Sequence, residues 1–200
     1  MGRPKGGNVN GLKGLGALGL LALASSALAA GPRADEVVDR DVNQQQRIEQ
    51  GLKSGELNTR EAGALERREG RIDQAETRGL ADGKLSASEQ ARINRMQNRT
   101  SADIAREKHD AQNGNPNSAS SERMQTDIAR NLSQQERIEN GADTGKLTNR
   151  EVASLEAGQA HVDRVEGRAA ANGRVGAAEQ AHVRHAENRQ SRRIYRQKHD

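Results

Sequence analysis

One seven-residue pattern recurs four times along this 200-residue chain: glycine, any residue, an aliphatic residue, a small or polar residue, two further residues, and glutamate. The four segments are 55–61, 83–89, 145–151 and 173–179. Glycine can adopt the left-handed conformation that ends a helix. The fourth residue can cap the next helix, and the glutamate completes a capping box. The aliphatic residue, which precedes the cap, can form a hydrophobic staple with the first turns of that helix. The pattern therefore predicts that one helix ends and another begins at each segment.

The capping residue differs among the four segments: it is Asn58, Ser86, Thr148 or Gly176. Glycine has no side-chain oxygen that could accept a hydrogen bond from the first turn of a helix. We therefore predict that the cap at Gly176 is the weakest of the four.

The chain is an internal duplication. Residues 44–110 align without a gap with residues 134–200, at a constant offset of 90, and 29 of these 67 positions are identical. The repeat predicts one unit over 35–110 and a second over 124–200. Residues 111–123 between them are rich in Asn, Ser and Gly, which is typical of a flexible linker.

Each unit contains three stretches in which apolar residues recur at helical spacing, and no stretch alternates with the period of a strand. Gln45 and Gln135 interrupt the apolar stripe of the first stretch at the same place in both units. We predict an all-α fold, a tandem duplication of a three-helix unit with short glycine-containing turns, following an N-terminal signal peptide. Because large apolar side chains are few, we expect long, partly independent helices, stabilised by self-association or by an unknown protein partner.

Residues 1–30 have the composition of a secretory signal peptide. Three basic residues precede a short apolar stretch over 15–24, and Ala27-Leu28-Ala29 supplies the small residues that signal peptidase requires. The apolar stretch is shorter than the roughly 20 residues that span a bilayer. The pattern predicts a periplasmic or secreted protein whose mature chain has no integral membrane segment.

The charge distribution argues against nucleic-acid binding. All 28 acidic residues lie beyond Ala30, whereas three of the 32 basic residues lie before it. The chain beyond Ala30 therefore has 29 basic and 28 acidic residues, a net charge of +1. Arg and Glu are interleaved rather than clustered. The sequence contains no Phe or Trp and a single Tyr, Tyr195, so it lacks the aromatic residues on which bases stack. Enzyme signatures such as a nucleophilic cysteine or a phosphate-binding loop are also absent from the sequence. We expect no enzymatic activity and no cofactor, and we interpret the many carboxylates as capping or surface residues.

The four segments resemble the second half of an EF-hand calcium loop, with its glycine, aliphatic and glutamate at the sixth, eighth and twelfth positions. The resemblance implies calcium binding, and the oxygen ligands would include Asp82, Glu89, Asn172, Glu179, Glu61 and Glu151. Helix capping is the other interpretation of the same residues.

Two further resemblances differ in extent: the first covers only the connectors and the general character of the chain, and the second covers nearly everything after residue 30. Leu147-Thr148-Asn149-Arg150-Glu151 is similar to the motifs at helix starts in periplasmic stress proteins of the Spy/CpxP type, which implies a chaperone-like or stress-response role. The Gln44–Glu49 segment, the Gly-x-Leu connectors and the closing residues 196–200 resemble uncharacterised exported two-repeat helical proteins of Gram-negative bacteria. That resemblance implies export and a helical repeat, with no particular activity.

His182 and His185 are three residues apart and can share one helix face, so they are candidate ligands for a transition metal. A solvated polar face is the alternative interpretation. Taken together, the sequence predicts an exported, non-enzymatic helical repeat protein with a binding or structural role in the cell envelope. Calcium binding through EF-hand-like loops and a chaperone-like role are the alternatives.

Overall fold

The computed structural model describes residues 34–200, and these residues form six α-helices and no strand. The helices are α1 (Ala34–Ser54), α2 (Thr59–Gly79), α3 (Ala87–Glu107), α4 (Ala119–Asp143), α5 (Asn149–Ala169) and α6 (Ala177–Gln197). The predicted all-α class with three helices in each unit is confirmed. The predicted signal peptide over residues 1–30 lies outside the described residues, and α4 begins within the segment predicted as a linker. None of these helices combines the length and apolar character needed to cross a membrane.

The four pattern glycines do separate helices, as predicted. Gly55, Gly83, Gly145 and Gly173 have φ angles of 81°, 89°, 69° and 82°, in the left-handed region. After α1, the backbone N–H of Leu57 donates to the carbonyl of Gly51 at 2.9 Å, and Leu147 repeats this bond to Gly141 after α4. This bond closes the turn that reverses the chain. By contrast, α2 and α5 end a few residues before their glycine, and an additional turn follows them.

The capping residues behave as their chemistry requires. The side chains of Asn58, Ser86 and Thr148 each accept a hydrogen bond from the backbone N–H three residues later. Gly176 makes no side-chain bond, and only the reciprocal half of the capping box exists there, in which Glu179 accepts from the Gly176 N–H at 2.7 Å. As expected from the residue type, this is the one cap of the four without a side-chain hydrogen bond.

The helices of the two units interlock. The most extensive helix contact joins α2 to α5, and the next joins α1 to α4. Gly63 lies against Ala170, and Gly70 lies against Asp163, so α2 and α5 run antiparallel. The missing side chains at the two glycines allow the backbones to approach closely. Helix α3 contacts α1 and α2, and α6 contacts α4 and α5. The expectation of partly independent helices is therefore wrong, because each unit buries its apolar face against the other.

The apolar core is divided into two clusters at opposite ends of the bundle. One contains Ile48 and Leu65 of the first unit together with Ile128 and Val162 of the second. The other contains Val38 from the first unit together with residues of the second unit. Between these clusters, the middle turns of the helices bury polar and charged side chains. The centre of the bundle is therefore polar.

Candidate cation site in a buried carboxylate layer

The residues predicted as calcium ligands lie in the connectors, where they serve as caps and turn acceptors. Four of them accept a hydrogen bond from the backbone N–H three residues earlier, at 2.7–2.9 Å: Glu61, Glu89, Glu151 and Glu179. The other two accept from the backbone N–H two residues later, at 2.8 Å: Asp82 and Asn172. Calcium binding by these loops stays a prediction.

Two of these carboxylates show the electrostatic effect of capping. Hydrogen bonds from Ser86 lower the pKa of Glu89, and hydrogen bonds from the backbone and hydroxyl of Thr148 lower the pKa of Glu151. The caps therefore stabilise the ionised form of both groups.

Glu61 lies in a different setting, because its carboxylate comes within 4.8 Å of those of Glu107 and Asp110. Burial is the main cause of a raised pKa at Glu61.

The two candidate histidines, His182 and His185, are exposed on α6. His161 of α5 lies nearby, and its ring is 3.4 Å from the guanidinium of Arg189. Burial and the charge of Arg189 lower the pKa of His161. Within residues 34–200, no group of three ligand atoms within 4.8 Å of one another includes a histidine.

A layer of carboxylic side chains fills the centre of the bundle, and we call it the carboxylate layer. It consists of Asp41, Glu66, Glu69, Asp73, Glu76, Glu156, Asp163 and Glu166, each at most 1% exposed. No Lys, Arg or His is buried among the residues that the structure describes. The interpretation of the carboxylates as capping or surface residues is therefore wrong for these eight, and also for Asp127 and Glu187, which are equally buried.

Helical spacing explains why these side chains share one layer. Glu66, Glu69, Asp73 and Glu76 follow one another at intervals of three or four residues, which places them on one face of α2. On α5, Glu156, Asp163 and Glu166 occupy the equivalent positions. Since the two faces meet along the α2–α5 contact, the carboxylates of both helices converge.

Within the layer, three carboxylates of the first unit form what we call the first cluster: Asp41, Asp73 and Glu76. An oxygen of each lies within 4.8 Å of the others. The amide of Gln97 on α3 donates to Asp41 Oδ1 at 2.8 Å and to Glu76 Oε1 at 3.3 Å. Neither oxygen of Asp73 has a hydrogen-bond partner.

A second cluster consists of Glu66, Asp163 and Glu166, whose oxygens also lie within 4.8 Å of one another. The amide nitrogen of Asn131 on α4 lies among them, at 2.7 Å from Asp163 Oδ1, 3.0 Å from Glu166 Oε2 and 3.5 Å from Glu66 Oε2. A neutral amide donor therefore occupies the centre of the second cluster.

The duplication makes the two clusters comparable residue by residue. Asp41 of the first unit corresponds to Asn131 of the second, and Glu69 corresponds to Gln159. In the second unit, the Gln159 amide donates to the Asn131 carbonyl at 2.6 Å. The first unit therefore has two acids where the second has two hydrogen-bonded amides. The reverse exchange occurs once, because Gln97 beside the first cluster corresponds to Glu187, a buried acid whose charge raises the pKa of Glu166. The surroundings of the first cluster are left with one more acid than those of the second.

Burial raises the pKa of every carboxyl in the layer. The pKa of Asp41 is raised to about 7, because the effect of burial exceeds the opposing effect of the hydrogen bonds from Glu76 and Gln97. Burial and the charge of Asp41 raise the pKa of Glu156 to about 8. The pKa values of Asp73 and Glu76 are raised well above the usual range, first by burial and then by neighbouring carboxylates.

Burial is likewise the largest cause of the raised pKa at Glu69, to which the charge of Asp41 adds most. Burial raises the pKa of Glu66 to about 7 and that of Asp163 and Glu166 well above their usual values. A buried ionised carboxylate without a partner costs several kcal/mol, roughly. At neutral pH the layer must therefore hold protons or cations.

The first cluster has the donor atoms that a hard cation requires. Each of its three members has at least one buried oxygen without a hydrogen-bond partner, and so do Glu69 and Glu156, which lie beside the cluster. Carboxylate oxygens suit Ca²⁺, Mg²⁺ and Mn²⁺, whereas the nitrogen and sulfur ligands that favour zinc or copper are missing from this group. Residues from α1, α2 and α5 would hold such an ion together.

Comparisons with protein-family models, with curated proteins and with solved structures find no match for this chain. The assignment of a site therefore depends on the geometry of the carboxylate layer alone.

Reasoning from the sequence missed the layer, although signals were present. Gln45 and Gln135 interrupt an apolar stripe, and in the structure their amides donate to Glu66 at 2.9 Å and to Glu156 at 3.4 Å. The acids at 66, 73 and 76 are also retained at 156, 163 and 166. Polar residues kept on a core-facing stripe in both copies indicate a buried polar layer.

Proposed function

We propose that this chain is an exported, non-enzymatic helical repeat protein that binds a hard divalent cation at the first cluster. The observation that carries the proposal is the convergence of Asp41, Asp73 and Glu76, with Glu69 and Glu156 beside them, in a layer without a buried cationic side chain. A divalent cation would neutralise charges that otherwise require protons.

The closed surroundings of the cluster bear on which ion it would take. Mg²⁺ usually keeps several waters in its shell, whereas Ca²⁺ accepts six to eight protein oxygens at flexible geometry. Mn²⁺ also accepts carboxylate oxygens. A fully buried group rich in carboxylates therefore favours Ca²⁺ or Mn²⁺ over Mg²⁺.

The second unit supplies the matched control for a test of this proposal. The double variant Asp41→Asn/Glu69→Gln changes one member of the first cluster and the neighbouring Glu69 to the residue types that the second unit carries at Asn131 and Gln159. The two side chains keep their shape, but two acidic groups become neutral amides, each with one acceptor oxygen and an NH₂ donor. Far-UV circular dichroism would verify that the variant folds.

The experiment is titration calorimetry and thermal unfolding of chelator-stripped protein with Ca²⁺, Mn²⁺ and Mg²⁺ in turn. We expect binding heat and a higher melting temperature for the parent protein with Ca²⁺ or Mn²⁺, and loss of both in the double variant. A parent protein that shows neither response to any of the three ions would overturn the proposal. An undiminished response in the folded double variant would overturn its placement at the first cluster.

Export is proposed from the leader pattern over residues 1–30, and mass spectrometry of the mature N-terminus in cell fractions would test it. A chaperone-like role has less support, because Tyr195 is the only large hydrophobic residue exposed within residues 34–200. Such a surface offers little apolar area to an unfolded client.

A further inference from the structure

A second feature, separate from the carboxylate layer, is an arginine-rich cavity on the surface of the second unit. It has a volume of about 580 Å³ and is lined by Arg137 of α4 and by Ser191, Arg192, Tyr195 and Arg196 of α6. Tyr195 is 60% exposed. The Tyr195 ring stacks on the imidazole of His199, with ring centroids 4.2 Å apart. The cavity therefore combines three guanidinium groups with one accessible aromatic face.

The arginines of this cavity are available to a ligand. The side chains of Arg192 and Arg196, one helical turn apart, form no hydrogen bond or ion pair with the residues that the structure describes. Arg137 makes one long hydrogen bond, from Nη2 to the Ser191 carbonyl at 3.4 Å. A guanidinium has five N–H donors, so most donors around the cavity have no protein acceptor.

The first unit shows what a neutralised version of this surface looks like. There Arg106 occupies the position equivalent to Arg196, and it pairs with Asp103 at 2.7 Å and with Glu107 at 3.1 Å. In the second unit those two acids are replaced by Arg193 and Gln197. The positive charge at Arg196 therefore has no equivalent partner.

The replacements themselves turn toward α5. Arg193 donates to the carbonyl and hydroxyl oxygens of Ser154 at 2.7 and 3.0 Å, and Gln197 donates to the same hydroxyl at 3.3 Å. They hold α6 against α5 and contribute no negative charge to the cavity.

The two residues that complete the cavity are also specific to the second unit. Arg192 and Tyr195 stand where the first unit has Ala102 and Ala105. Two alanines would leave neither a cation nor a ring at this surface. The second copy thus carries both groups and lacks both acids at one place on the fold.

From this arrangement we infer that the cavity binds a phosphate ester in which a phosphate group adjoins a planar or apolar moiety. Guanidinium groups match phosphate oxygens through paired N–H donors. An exposed tyrosine ring offers a face on which a flat or apolar group can stack. The Arg137, Arg192 and Arg196 side chains would contact the phosphate, and Tyr195 would contact the attached group.

The test uses phenyl phosphate and inorganic phosphate as probes of the full mature chain. Binding is followed by NMR, because Tyr195 contributes the only tyrosine, phenylalanine or tryptophan ring signals in the chain. We expect phenyl phosphate to shift these signals and to bind more tightly than inorganic phosphate. Arg192→Ala/Arg196→Ala should weaken phenyl phosphate binding by at least about tenfold. Tyr195→Ala, followed by calorimetry, should weaken phenyl phosphate alone.

Arg106→Ala is the matched control, since it removes the equivalent arginine of the first unit, and it should leave binding unchanged. Equal weakening by Arg106→Ala would show non-specific charge attraction and overturn the inference, as would an absence of binding by both probes. Vesicles of phosphatidylglycerol and of phosphatidylcholine distinguish the source of the phosphate. Retention by the anionic vesicles alone, lost in the double arginine variant, assigns a lipid headgroup, whereas phenyl phosphate binding without retention assigns a soluble ester.

Discussion

The raised pKa values of the carboxylate layer lead to an unusual pH dependence, and Asp41→Asn is the substitution that tests it. A carboxyl whose pKa is higher in the folded than in the unfolded state binds its proton more tightly when folded. The free energy of unfolding then falls as pH rises through the window between the two pKa values. For Asp41 this window runs from 3.8 to about 7. Metal-free protein should therefore be more stable at pH 5 than at pH 8.

The contribution of Asp41 can be worked out from that window. Each pH unit between the two pKa values corresponds to about 1.4 kcal/mol per group. Between pH 5 and a folded pKa of about 7, Asp41 alone should remove about 3 kcal/mol of stability. Asparagine does not titrate, and its amide can donate to Glu76 as Asn131 donates to Glu166 at 3.0 Å. Asp41→Asn should therefore reduce the difference in stability between pH 5 and pH 8 by about 3 kcal/mol.

The assay is urea unfolding followed by far-UV circular dichroism at both pH values, with a chelator present throughout. Glu122→Gln is the control, because it removes an exposed carboxylate from α4 and should leave the pH dependence unchanged. If Asp41→Asn shows the same pH dependence as the parent protein, or if the parent becomes more stable as pH rises, the account of a protonated layer is refuted.

Three other substitutions test separate parts of the structure. Asn131→Asp places a fourth acid among Glu66, Asp163 and Glu166, so urea unfolding should show a steeper loss of stability with rising pH. An unchanged slope would contradict the amide's position in the second cluster. Gly63→Ala adds a Cβ that overlaps the Ala170 side chain, which should cost about 1–3 kcal/mol in chemical unfolding; a neutral effect would contradict the close α2–α5 approach. Gly145→Ala meets no atom within 4 Å and should cost about 1 kcal/mol through its φ of 69° alone, with Gly145→Asn less costly in the same assay.

The parts of the fold that could be predicted are those encoded locally. A connector specifies its own helix end, cap and restart within seven residues, so Gly55 and Asn58 needed no knowledge of the rest of the chain. The absent side-chain cap at Gly176 followed from the residue type alone. The duplication was likewise visible from an alignment of the chain with itself.

The association of α2 with α5 could not be predicted in the same way. Gly63 and Gly70 are unremarkable within a helical stretch until the antiparallel partner is known. The carboxylate layer depends on this association, because Glu66 and Asp73 would face solvent on an isolated helix and are buried only when α5 covers them. A composition rich in Arg and Glu is typical of a solvated surface. Composition alone does not distinguish the acids that are buried from those that face solvent.

The two copies of the repeat finally indicate why the first cluster is not simply a requirement of the fold. Buried charged groups are often replaceable by other residues without loss of stability. The second unit shows such a replacement within the same chain, since Asn131 and Gln159 fill the positions of Asp41 and Glu69 with a hydrogen-bonded amide pair. The equivalent helices of the two units therefore pack around either the two acids or the two amides. Acids at Asp41 and Glu69 reduce stability as pH rises, and they add unpartnered oxygens that the amides do not supply in this number. The cation binding that we propose would give these two acids a function that the packing of the bundle does not.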